Sequence, residues 1–146
     1  MRKSFILTVV VLFLSMGSAG ADDWYSTNQA TIRWGAVTTL SNGEPVPVDN
    51  VVTYSVYTKS VQTGIETEVL TGITDLECTI TFMTEGDYRV GVRSLRTIPA
   101  VGDLPARTID TSVIGWSSDP LIVLDGNVFG ITYYIPAATT TGLRRD

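Results

Sequence analysis

The chain has 146 residues, with 10 basic and 15 acidic side chains, no His and one Cys, for a formal net charge of −5. Without His there is no Ser-His-Asp triad, no Cys-His pair and no His-ligated metal, and a lone Cys allows no internal disulfide. The acidic balance and the lack of a basic cluster also argue against nucleic acid as a partner, because a phosphate backbone attracts the opposite charge.

Arg2 and Lys3 precede an apolar run over residues 5–14, followed by small residues through Ala19-Gly20-Ala21. This is the three-part plan of a secretory signal peptide, with cleavage expected before Asp22 and export as the consequence. The apolar part falls short of the roughly 20 residues of a membrane span, so no span is expected after cleavage. No Cys follows the run, so no lipoprotein anchor is expected. Cleavage leaves 125 residues with 8 basic side chains against 15 acidic ones. One domain of that size buries roughly two thirds of its unfolded surface and requires neither disulfide nor metal.

In chain order, Ala30, Ile32 and Trp34 alternate with Thr31 and Arg33, the period of a half-buried strand ending at Gly35. Residues 37–50 carry Ser41-Asn42-Gly43-Glu44-Pro45 and Pro47, turn chemistry without an apolar period. Val52, Tyr54 and Val56 share the face of a second strand, and residues 64–70 read as a polar edge strand ending near Gly72. Leu76, Cys78, Ile80 and Phe82 alternate with Glu77, Thr79 and Thr81. After Gly86 a further alternation runs through Tyr88, Val90 and Val92, with Arg89 and Arg93 on its other face. Residues 97–111, with Pro99, Gly102, Asp103 and Pro105, read as a long loop. Pro120 leads into Leu121-Ile122-Val123-Leu124, read as a strand, and Asp125-Gly126 is the signal of a two-residue type I′ hairpin. Beyond it Phe129, Ile131, Tyr133 and Ile135 alternate up to Pro136, which predicts a strand folded back antiparallel onto 121–124 and covering its edge.

Phe82, six positions before a Tyr that opens a strand and with Gly86 between them, resembles the E–F corner of a fibronectin type III domain. Ile32-Arg33-Trp34 is similar to that family's strand B, Tyr54-Ser55-Val56-Tyr57 to its strand C, and Trp116-Ser117 with the Pro-led segment 120–124 to its strand G. The resemblance covers residues 30–124. It implies an all-β, fibronectin type III-like (Ig-like) antiparallel β-sandwich in which the Tyr88 hydroxyl bonds back to backbone and its ring covers the end of the core. Two departures are expected: a reduced first strand, since only residues 22–29 precede strand B, and an extra C-terminal strand. The expected organisation is a signal peptide over 1–21, the domain over 22–126, the extra strand over 127–136 and a polar tail over 137–146.

The chain has no Gly-rich phosphate loop and no calcium-loop motif. Its paired acids, Glu66 with Glu68 and Asp22 with Asp23, read as solvated groups, so no enzyme, cofactor or metal is expected. Cys78 lies on an apolar face and reads as a small core residue rather than a reactive thiol. Arg89, Arg93 and Lys59 read as an outer sheet face paired with Glu66 or Glu68, with a shallow anionic-ligand site as the alternative. Trp24, Tyr25, Tyr133 and Tyr134 are expected to pack across the open side of the sandwich, with an exposed aromatic row suited to sugar stacking as the alternative.

In a sandwich of this topology the loops 37–50 and 97–111 emerge at one end. The candidate binding residues there are Leu40, Glu44, Val46, Val101, Asp103, Leu104 and Arg107, joined by Ile98. Two long loops on a rigid scaffold suit recognition of a protein or a glycan. Gly102-Asp103 follows Val101, not Arg, so integrin-type binding finds no support. The expectation is an exported, non-enzymatic binding module. The alternative is a structural subunit that self-associates by exchange of the strand over 128–135.

Overall fold

The computed structural model describes residues 23–109 and 112–138, and among these there are nine strands and no helix. The expected signal peptide and nearly all of the polar tail lie outside the described residues. The strands are β1 (Asp23–Ser26), β2 (Gln29–Arg33), β3 (Val51–Ser60), β4 (Glu66–Ile73), β5 (Glu77–Thr81), β6 (Gly86–Ile98), β7 (Arg107–Ile109), β8 (Gly115–Trp116) and β9 (Phe129–Tyr133). They form one sheet in the order β1-β9-β6-β3-β4, with β7 and β8 also on β6, and a second sheet of β2 and β5. All described pairings are antiparallel except β1 with β9, which is parallel.

The core lies between the two sheets, where the alternating apolar positions meet. Ala30, Ile32 and Ile80 come from the smaller sheet, Phe82 from one residue past β5, and Tyr54, Val56, Val90, Val92, Phe129 and Ile131 from the larger sheet. Trp34, one residue past β2, is buried with them and tilts against Tyr54 with ring centroids 5.5 Å apart. Tyr88 closes one end of the core. Its ring lies 5.0 Å from that of Phe82, and its hydroxyl donates to the Thr84 carbonyl at 2.8 Å, the backward bond expected of this residue.

The C-terminal third departs from expectation. Residues 121–124 form no strand but turns, with a single bridge position at the buried Val123. Asp119 takes the backbone donors that a strand would have offered sideways. Its carboxylate accepts the Leu121 N–H at 2.9 Å, and its carbonyl accepts those of Ile122 and Val123 at 3.0 and 3.2 Å. Such short-range bonds compete directly with a sheet ladder. Asp125-Gly126 therefore does not join two strands. The Asp125 carboxylate accepts the backbone N–H and the side-chain amide of Asn127, which hold its pKa below the usual carboxylate range.

In consequence β9 pairs with β6 itself, Gly86 opposite Tyr133 and Tyr88 opposite Ile131, and not with 121–124. Its other edge carries β1, Asp23 opposite Phe129 through Ser26 opposite Thr132. The segment before β2 thus contributes four residues of strand, carried on β9.

Ser117 splices β8 to β9. Its N–H donates to the Val90 carbonyl at 2.8 Å and its carbonyl accepts the Phe129 N–H at 3.0 Å. Its hydroxyl accepts the Val90 N–H at 3.2 Å and donates to the Phe129 carbonyl at 2.9 Å. This side chain is 1% exposed, so water replaces none of these bonds.

Ser117→Ala is expected to destabilise the fold by about 1–3 kcal/mol, the usual cost of leaving buried polar groups unsatisfied, as measured by urea unfolding. A chain ending at Asp125 loses Phe129 and Ile131 from the core and the partner of β1. It is expected to show no cooperative thermal unfolding, while the chain from Asp22 to the end scatters light as a monomer. A truncated chain that still unfolds cooperatively would contradict this account of β9.

Candidate functional site

The register of β3 on β6 brings the two predicted loops to one pole, because Val51 at the start of β3 lies opposite Thr97 near the end of β6. The first loop folds into a small hairpin of its own. Leu40 N–H donates to the Glu44 carbonyl at 2.7 Å, Gly43 N–H to the Leu40 carbonyl at 2.9 Å, and Val46 N–H to the Thr38 carbonyl at 2.9 Å. Gly43, at φ +88°, supplies the left-handed turn residue. The hairpin is tied to the sheet through Val37, whose N–H donates to the Tyr54 hydroxyl at 3.0 Å.

The second loop is shorter than the sequence suggests. Thr97 and Ile98 continue β6, and Arg107–Ile109 returns along it as β7, with Arg96 opposite Ile109 and Ile98 opposite Arg107. Thr97 and Thr108 hydroxyls meet across the pair at 3.0 Å. At the tip, Val101 and Leu104 exchange two backbone bonds of 3.0 Å around Gly102, at φ +57°. Their side chains are 64% and 65% exposed, so the tip is an apolar knob.

Between the first hairpin and the inward face of β3, β6 and β7 lies a cleft of about 260 Å³. Leu40 and Val46 face it from the hairpin, Val52 and Ile109 from the sheet, and Arg96 supplies its positive charge. Ser94 and Ser112 also line it, the Ser112 hydroxyl donating to the Ser94 carbonyl at 2.6 Å. The cleft is the open end of the inter-sheet space. Val90 and Val92 fill that space in the middle of β6, and at Ser94 and Arg96 the same inward alternation turns polar.

Of the predicted binding residues, Leu40 and Val46 therefore meet in the cleft. Glu44 stands outside it, its carboxylate accepting from the Asn42 amide at 2.7 Å. Val101, Asp103 and Leu104 sit on the projecting tip, and Arg107 is exposed on β7. The reading of loops missed Arg96, although one signal of it was present: a charge on the inward side of a strand otherwise occupied by Tyr88, Val90 and Val92.

The outer face of the larger sheet is built differently. Arg89 lies 4.4 Å from the Trp24 ring centroid, Arg93 5.2 Å from that of Tyr57, and Lys59 5.4 Å from that of Trp116. Lys59 also pairs with Glu66 at 3.1 Å, and the Tyr57 hydroxyl donates to Glu68 at 2.5 Å. Burial, then the Glu68 contact, raises the Tyr57 pKa. These cations are thus spread over aromatic rings and acids, the arrangement expected of a sheet face. Trp24 and Trp116 lie flat over Gly130 and Gly91, where an added Cβ would come within 2.4 and 2.7 Å of the respective rings. Trp24 is therefore on the outer sheet face, 40% exposed, and does not pack across an open side; Tyr134 is exposed as well. Tyr25 and Tyr133 do pack against the core.

Cys78 is half-buried against the core, and burial raises its pKa to about 11. Among the described residues, no three acidic or Cys side chains gather where they would hold a metal. No family model and no curated protein matches the chain.

With its pKa near 11, Cys78 is expected to react with iodoacetamide at a pH of about 8 at least tenfold more slowly in the folded chain than after unfolding in urea, since the thiolate is the nucleophile. Mass spectrometry over time measures both rates.

Proposed function

We propose that this chain is an exported, non-enzymatic binding module with a fibronectin type III-like fold, which recognises a protein or glycan through the pole formed by residues 37–50 and 97–111. In family terms β2, β3, β4, β5 and β6 take the places of strands B, C, C′, E and F and β1 that of a shortened first strand, while β9, expected as an addition beyond a strand G at 116–124, stands in the place of G because 121–124 form no strand. The observation that carries the reading is the cleft, in which the first hairpin and the end of β6 converge beside an exposed apolar knob. A concave, mostly apolar site with a few polar groups is the usual form of a ligand site. A projecting apolar tip on the same β6–β7 hairpin supplies the contact that a larger partner desolvates.

The alternative, a subunit joined by exchange of 128–135, draws no support from the strand order. Both edges of β9 are occupied within the chain, by β6 and by β1.

Ligands selected for the chain from Asp22, from arrays of glycans and of displayed peptides, are expected to lose about tenfold or more of their affinity when Val101 and Leu104 are both changed to Asp. They are expected to bind a Thr31→Ala variant unchanged, since Thr31 lies on the smaller sheet against Thr79. Arrays that return no ligand, or ligands indifferent to the tip substitutions, would count against the pole as a binding surface.

A further inference from the structure

Arg96 is placed where a structural arginine has nothing to do. It follows Tyr88, Val90, Val92 and Ser94 on the inward side of β6, opposite Val52 on β3 and Ile109 on β7. Its Nε is buried and makes no hydrogen bond among the described residues. No ion pair of Arg96 occurs among them either; the two there are join Arg33 to Glu77 and Lys59 to Glu66. Yet it lines the cleft, together with apolar residues such as Val37, Leu40, Val52 and Ile109 and polar ones such as Ser41 and Asn42. A guanidinium whose Nε is buried without a hydrogen-bond partner lacks the group that offsets the desolvation of that nitrogen. An incoming anion supplies one, and a planar carboxylate matches the guanidinium fork with two parallel bonds.

We infer that the cleft binds a carboxylate attached directly to a small apolar body, with Arg96 taking the carboxylate and the apolar walls taking the rest. The volume, about 260 Å³, suits one branched apolar side chain with its carboxylate and an adjoining amide rather than a longer chain. The hydroxyls of Ser94 and Ser112 border the same space and are suited to hydrogen-bonding such an amide. This chemistry is that of the last residue of a peptide ending in an apolar amino acid, and equally that of a free short-chain acid. The inference rests on the pole being the binding surface and names what its concave part selects.

The test is an NMR titration of the chain from Asp22 at neutral pH and low salt, with N-acetyl-leucine, N-acetyl-leucinamide and hexanoate as probes. The acid is expected to shift amide resonances of Val52, Ser94, Arg96 and Ile109 and to bind at least about tenfold more tightly than the amide, the discrimination expected of a charge-assisted hydrogen bond. Tighter binding of N-acetyl-leucine than of hexanoate assigns the site to a peptide terminus, and the reverse assigns it to free acids. Arg96→Gln is expected to abolish the preference for acid over amide and Arg96→Lys to retain part of it. Neither variant is expected to lower the unfolding midpoint, since no bond of Arg96 Nε within the described residues is lost. Equal binding of acid and amide, no shift at the cleft, or a preference that survives Arg96→Gln would overturn the inference. An overturned cleft alongside array ligands still sensitive to Val101→Asp with Leu104→Asp removes the ligand class and leaves the pole standing. Loss of both removes the pole as well.

Discussion

Along one edge, β6 hydrogen-bonds to β3 through ten paired positions; along the other it meets β9, β8 and β7 in turn. Every other part of the larger sheet is placed by that strand. β4 attaches through β3, and β1 attaches through β9. The core follows from the same pairing, because the inward side of β6 carries Val90 and Val92 against Ile32 and Ile80 of the smaller sheet. Three short partners on one edge cost little chain, but they require a splice at each change of partner. Ser117 provides the one between β9 and β8 with four hydrogen bonds, and between β8 and β7 the Ser112 hydroxyl donates to the Ser94 carbonyl.

The elements that were legible in the sequence are those in which a period of two runs long enough to bury one face. Ala30 to Trp34, Val52 to Val56, Leu76 to Phe82 and Tyr88 to Val92 all appear as expected, with their apolar sides on the core except at the partly exposed ends Leu76 and Cys78. The run 121–124 misled because four successive apolar residues between turn signals read equally as a buried strand. What decided it was the reach of Asp119 to three nearby N–H groups, a bond pattern invisible to periodicity. β7 was hidden for the opposite reason. Three residues carry no period, and Arg107–Ile109 is a strand only because β6 runs on to Ile98 and offers it an edge.

The candidate site was legible in outline and not in detail. Loop composition pointed to the pole and to Leu40 and Val46, but the cleft's floor is strand, not loop. Composition singles out polar segments, whereas here the informative residue is polar within an apolar alternation. A sandwich that filled its mouth with one more aliphatic side chain at position 96 would gain buried area. Placing Arg96 there gives up that gain, the kind of local cost that proteins carry at sites of function.

β1 and β9 are the first and last described strands, and they run side by side in the same direction. A force separating the Asp23 end of β1 from the Tyr133 end of β9 therefore acts along the strands in opposite senses, as shear. The hydrogen bonds between them, including those from Asp23 to Val128 and from Thr27 to Thr132 at the two limits, are then loaded together rather than one at a time. The four residues of β1 and the last described strand are thus joined by bonds in a shear arrangement, in which separating the two outer ends strains every bond at once.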